Sequence, residues 1–249
     1  MLNSFKDTPK DVVVLHHTKR GKTVPNLSPF ALKLETYLRM ANIPYQVDDT
    51  FPFGPKGKTP WVTLNGEHLA DSQFILETLA KKYNKTIGNY NEEQRALGHV
   101  SRITADEHLY WGMTTWRYVF GDPKDLSQVF DLPPAALTAF ARATQKRVKT
   151  SSFYQGTGRH SLEEIFHLMK SNLRALSVIL GKKKFFLGDE PSEVDCSIFG
   201  AVAQYLWGLP GAPYAEFIHD ELPNLEEYSI RMKEHFWPDW DQCLAGGGN

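Results

Sequence analysis

Cysteine is scarce: 249 residues contain only Cys196 and Cys243, with no C-x-x-C and no frame for disulfide pairing, which suits a reducing compartment. No run of about 18 apolar residues exists, so no membrane span is expected. The opening MLNSFKDTPK lacks the apolar centre of a signal peptide. These absences predict a cytoplasmic chain, in which the sequons Asn26-Leu27-Ser28 and Asn84-Lys85-Thr86 are coincidental. An excess of either charge is missing as well. Twenty-eight Lys and Arg stand against 29 Asp and Glu, a net charge of -1, and without a basic surface to release counterions no nucleic-acid partner is expected. Metal-ligand spacings are also absent. His16 and His17 are adjacent on an apolar run and point to opposite faces of a strand, so they cannot share an ion, and no metal is expected.

What is present is globular in composition, with 41% hydrophobic and 23% charged residues, and long enough for two small domains. The chain is organised around Pro25 to Met40, PNLSPFALKLETYLRM. The apolar run Val12 to Leu15 precedes it, and Phe30, Leu34, Tyr37 and Leu38 repeat at helical spacing within it, so strand, loop and helix follow one another. Ser28 before Pro29 starts the helix. A serine oxygen accepts from the first-turn N–H groups, and proline loses nothing at the first helical position. That helix mouth favours an anion, and a thiolate is one such anion. Strands at Tyr45 to Val47, Trp61 to Leu64 and Glu67 to Leu69, with Asn65-Gly66 as a two-residue hairpin turn, and a helix over Phe74 to Tyr83 complete an α/β unit spanning 11–84.

NKTIGNYN, Asn84 to Asn91, reads as a linker, and residues 91–240 read as all-helical. Capping-box spacing marks helix starts at Asn91 with Gln94, Ser161 with Glu164, Ser192 with Asp195 and Asn224 with Glu227. The first of these helices reaches about Val119, and another spans Pro134 to Val148. Tyr110, Trp111, Met113, Trp116 and Tyr118 crowd the end of the first; most are core residues, and one or two are candidates to line an apolar pocket. Gln155 to His160, QGTGRH, reads as a turn with a stacked or buried Arg159 rather than an anion site. Lys182 to Lys184 reads as a solvated turn. The glycine-rich end, Ala245 to Asn249, is expected to be disordered.

Three short motifs carry chemistry. Ser28-Pro29-Phe30-Ala31 resembles the active-site box of omega-type glutathione transferases, where the first position is Cys or Ser. Gly57-Lys58-Thr59-Pro60 resembles the segment that carries the cis-proline of that fold, and Asp71-Ser72 resembles the acidic-Ser pair that holds the γ-glutamyl end of glutathione. PNLSPFALKLETYLRM, GPKGKTPWVTLNGEHLADS, QGTGRHSLEEI and FFLGDEPSEVDCSIFG resemble the failed axon connections family, a branch of the same superfamily that is also similar to metaxins. The resemblance implies an α/β plus all-α, glutathione-transferase-like fold, in which a thioredoxin-like domain precedes a helical-bundle domain, and it implies a homodimer. It also implies a site. Ser28 stabilises the thiolate of glutathione, the backbone of Thr59 ahead of a cis Pro60 pairs with the cysteinyl backbone, and Lys58 or Lys56 meets the glycine carboxylate. Asp71 and Ser72 take the γ-glutamyl end, and a hydrophobic electrophile lies beside Ser28. Plain readings stand beside these: Ser28 and Asp71 as helix caps, Pro60 as an ordinary strand opener, and the whole chain as a transferase-like scaffold or ligand-binding protein without turnover.

Overall fold

In a computed structural model, residues 8–50, 53–85, 88 and 90–247 are described. Most of the polar leader, three positions of the 84–91 linker (Thr86, Ile87 and Asn89) and the last two residues lie outside that set. Four strands, β1 (Val13–His16), β2 (Tyr45–Asp48), β3 (Trp61–Leu64) and β4 (Glu67–Ala70), form one sheet in the order β2-β1-β3-β4. β1 and β2 are parallel, because α1 (Pro29–Met40) carries the chain back between them. β3 runs antiparallel to β1, and the turn at Asn65-Gly66 folds β4 back on β3 in the register Trp61 to Ala70. The positive φ of both turn residues, 51° and 85°, is what a tight hairpin of this kind requires. The Thr59–Pro60 bond is cis. α2 (Ser72–Tyr83) follows β4 and lies with α1 over a core of Leu15, Leu34, Leu38, Val62, Ile75 and Leu79.

The remainder is helical. α3 (Glu92–Ile103) opens with a full capping box from Asn91 and Gln94, as its spacing predicts. It then runs on through a π-helical turn (Thr104–Leu109), α4 (Tyr110–Thr115) and a second π-helical turn (Trp116–Phe120). After α5 (Leu126–Val129) come α6 (Pro134–Gln155), α7 (Leu162–Leu180), α8 (Glu193–Trp207), α9 (Tyr214–Glu221) and α10 (Pro223–Phe236). α6 is two turns longer than the expected Pro134 to Val148, and its polar surface, with only Leu137, Thr144, Val148 and Ser152 buried, explains why periodicity missed its end. The expected cap at Asn224 and Glu227 is corrected. Pro223 already occupies the first turn of α10, and the Asn224 amide instead donates to the carbonyls of Ser177 and Gly181, tying down the end of α7. No helix among the described residues is long and apolar enough to cross a membrane.

Position of the site is set by α1 lying against α8. α8 is buried from Asp195 to Tyr205, and the backbones approach so closely at Gly200 that a Cβ there would stand 2.5 Å from the Pro29 carbonyl oxygen. Leu27 and Leu32 thereby join the helical core of Leu109, Met113, Met169, Phe199 and Val202. The C-terminal segment closes over the other end of α1. Arg39 makes a two-pronged pair with Asp239 at 2.5 and 3.0 Å and stacks on Trp237, whose indole N–H donates to Thr36 at 3.0 Å. The expectation of disorder from Ala245 onward is corrected as far as Gly247: the Ala245 N–H donates to Gly21 at 2.8 Å and the Gly247 N–H to Leu244 at 3.0 Å. Those main-chain bonds hold the segment despite its glycines.

Candidate active site

Ser28 is the N-cap of α1, with extended backbone (φ -90°, ψ 117°), and its Oγ accepts from the Ala31 N–H at 3.3 Å. No described hydrogen bond uses the Ser28 O–H as donor to the protein, so one hydroxyl caps the helix and keeps its proton for something outside it. The loop in front is fixed by groups far away in sequence. Asn26 is fully buried; its Oδ1 accepts from the Ser28 N–H (2.9 Å) and the Thr18 hydroxyl (2.9 Å), and its Nδ2 is bonded to His17 and to the Thr18 carbonyl. The Asn26 carbonyl accepts from Gln204 on α8 at 3.0 Å, and the Leu27 carbonyl accepts from Arg117 at 2.8 Å.

A cleft of about 510 Å³ opens over this helix mouth, within the size range of small-ligand sites. Its wall brings together all six residues singled out above: Ser28, Lys58, Thr59, Pro60, Asp71 and Ser72. Asp71 acts as the N-cap of α2 as well, since its Oδ1 accepts from the Gln73 and Phe74 N–H groups at 3.0 and 3.3 Å. The capping reading of Asp71 is therefore realised, and both bonds fall on one oxygen. Ser72 is the first residue of α2, at a helix end suited to a carboxylate. Lys56 also lines the cleft, with its ammonium over the Phe74 ring at 5.1 Å.

The facing wall comes from the α3–α4 rod. Tyr110, Trp111, Met113 and Tyr118 line the cleft, whereas Trp116 packs on Tyr214. Phe30 meets Tyr110 at 4.8 Å between ring centres. Burial pushes the Tyr110 phenol above its ordinary range, leaving it a neutral donor near pH 7. At the joint between the two walls Lys33, 1% exposed, bonds Asp106 at 2.7 Å and Gln73 at 2.9 Å. Burial lowers its pKa despite the partner carboxylate. Sequence reasoning missed Asn26, Lys33, Gln204 and Arg117. Asn26, Lys33 and Gln204 are polar residues inside buried runs and Arg117 is a buried cation between two half-buried aromatics, and a polar residue among apolar neighbours was the available signal; the partners lay up to 178 positions away.

Arg159 confirms the plain reading of its turn, stacking on Phe153 and donating to the Phe153 carbonyl. Asp195 bonds the Ser192 N–H and hydroxyl and the Phe186 N–H, a folding role away from the cleft.

Known proteins supply an independent view. Residues 29–123 match the model of the glutathione S-transferase N-terminal domain and residues 169–232 that of the glutathione S-transferase C-terminal domain, together more than half of the chain. The chain is 34% identical to Failed axon connections of Drosophila melanogaster over 95% of its own length, spanning 60% of the length of that protein. Isoprene-epoxide glutathione S-transferase of Rhodococcus sp. is 26% identical over 86% of this chain and 94% of the relative. Metaxin-2 of Mus musculus is 23% identical over 84% of this chain and 82% of the relative. Among solved structures, a glutathione S-transferase of Methylobacterium radiotolerans in complex with glutathione sulfonate shares the fold. Its TM-score is 0.61, with 15% identity over 92% of this chain and 94% of that one.

Proposed function

The chain belongs to the glutathione S-transferase superfamily, and from that membership we propose that it binds glutathione in the cleft and transfers its sulfur to an electrophilic small molecule. The observation that carries the reading is the arrangement of the Ser28 hydroxyl at the mouth of α1, with Lys58, Thr59, Pro60, Asp71 and Ser72 on the same wall.

Glutathione supplies a thiol that is mostly protonated at neutral pH. In this reading Ser72 holds the γ-glutamyl carboxylate through its hydroxyl and main-chain N–H, the Gln73 and Phe74 amides being taken by Asp71 Oδ1, while the other Asp71 oxygen faces the ammonium. The Thr59 main chain pairs with the cysteinyl unit, and Lys58 meets the terminal carboxylate. The Ser28 O–H then donates to the sulfur, and the positive end of α1 adds to the stabilisation of the thiolate. Tyr110, Trp111 and Phe30 hold the electrophile against it, so that positioning and proton removal supply the rate. A serine at this place forms no mixed disulfide, which argues for conjugation over thiol exchange.

A second reading, a transferase-like binding protein without turnover, is favoured by the 34% identity to Failed axon connections. Calorimetric titration with glutathione, followed by conjugation assays on the parent and on Ser28→Ala, separates them. Binding with a turnover that falls about tenfold or more in the variant supports the enzyme. Binding without turnover supports the second reading as a ligand-binding protein, and no heat at millimolar glutathione defeats the enzyme and leaves the second reading as a scaffold.

A further inference from the structure

Arg117 is 5% exposed and lines the cleft, yet among the described residues no carboxylate lies within 4 Å of it. Its hydrogen bonds go to neutral acceptors: the Leu27 carbonyl (2.8 Å), Gln204 Oε1 (2.9 Å) and the Gly208 carbonyl (3.0 Å). Nε has no partner. A guanidinium has five N–H donors and does not shed its charge at ordinary pH, and a buried charge without a counter-charge costs several kcal/mol. Lys33, the other buried Lys or Arg among the described residues, is matched by Asp106, and the half-buried Arg20 and Arg39 are matched by Glu35 and Asp239. Arg117 differs from them in that it faces a cleft.

The surroundings have the same sign. Lys56, Lys58, Arg102 and Arg147 line the cleft with Arg117, against Asp71, Asp106 and Glu107. Two of those carboxylates are engaged, Asp71 in capping α2 and Asp106 with Lys33 and Arg102. Phe130, Phe140 and Val148 give the same cleft an apolar lining, and Tyr118, whose ring meets Phe140, hydrogen-bonds the guanidinium. Arg117 holds the carbonyl of Leu27, the residue before Ser28, so its guanidinium stands at the loop that carries the candidate sulfur site, and both residues line the same cleft.

We propose that the co-substrate of this site is an electrophile with an apolar body and a carboxylate, and that Arg117 receives that carboxylate. The proposal rests on the glutathione reading above and adds the class of molecule that meets the sulfur.

The test uses two product-like probes, S-hexylglutathione and S-(5-carboxypentyl)glutathione, titrated into the unmodified protein at pH 7 and moderate salt. The carboxylate probe is expected to bind about tenfold tighter or more, as a charge-assisted hydrogen bond implies. The preference fades below about pH 4.5, as the carboxylate takes up its proton. Arg117→Met abolishes the preference, Arg117→Lys keeps part of it, and Arg147→Gln leaves most of it. If S-hexylglutathione binds as tightly as the carboxylate probe to the unmodified protein, the proposal is overturned while the glutathione reading stands. Binding of neither probe overturns both. The comparison on the unmodified chain decides the matter even if Arg117→Met fails to fold, and a preference that survives Arg117→Met in a folded variant also overturns the assignment.

Discussion

Because the Ser28 oxygen accepts from the Ala31 N–H while its proton remains available, substitutions at this position separate a folding contribution from a chemical one. Ser28→Ala removes a cap and should cost about 1 kcal/mol in urea unfolding. It should also raise the pKa of the bound thiol, because a donor to the thiolate is lost. The rising limb of the pH–rate profile then moves to higher pH, and the two proteins converge where free thiol is already ionised, above about pH 9. A uniform loss at every pH would show that Ser28 only caps. Ser28→Cys makes the complementary prediction. A thiol at a helix N-terminus has a depressed pKa, so this variant should form a glutathione adduct at residue 28 with oxidised glutathione, located by peptide mass spectrometry and reversed by a reductant, where the parent forms none at that position.

At the scale of elements, the site depends on how α8 meets α1. Gly200→Ala should destabilise the protein by about 1–3 kcal/mol, since the Pro29 carbonyl in the way is backbone and cannot swing aside. Any movement it forces also displaces Ser28, so glutathione affinity should fall in the same variant, whereas Ala substitution at exposed Gly57 or Gly66 disturbs only a turn. This dependence explains what could be read from the sequence. Local signals were legible: the Ser28-Pro29 start, the Asn65-Gly66 hairpin and the Asn91 and Ser161 caps involve partners within a few residues, and the order of three motifs pointed to one cleft. The rest was written in long-range pairs. Nothing near Asn26 announces that Gln204 and Arg117 will hold its loop, and Asn224 has the spelling of a cap but serves α7 because Pro223 begins the helix first. The π-helical turns that bring Asp106, Tyr110 and Arg117 to the cleft leave no mark in a pattern read at 3.6 residues per turn.

For the molecule as a whole, the Arg39–Asp239 pair fastens the C-terminal segment to α1 and gives stability a dependence on acid. Hydrogen bonding to Arg39 lowers the Asp239 pKa from its ordinary 3.8 to about 2. A depressed carboxylate contributes stability above its unfolded pKa and loses it as pH falls through the folded value. The gap in melting temperature between the parent and Asp239→Asn should therefore be constant from pH 7 to about 5 and close between about pH 4 and 2. A gap unchanged at pH 2 would mean that packing of Trp237, not the pair, holds the segment. The enclosed Asn26 bears on the fate of the entire chain. The triplet that it begins spells an acceptor for an oligosaccharide, yet its amide nitrogen and oxygen are both engaged inside the protein. A sugar attached to that nitrogen and a closed loop beneath Ser28 exclude each other, so a copy threaded into a glycosylating lumen would be diverted before it could assemble its cleft.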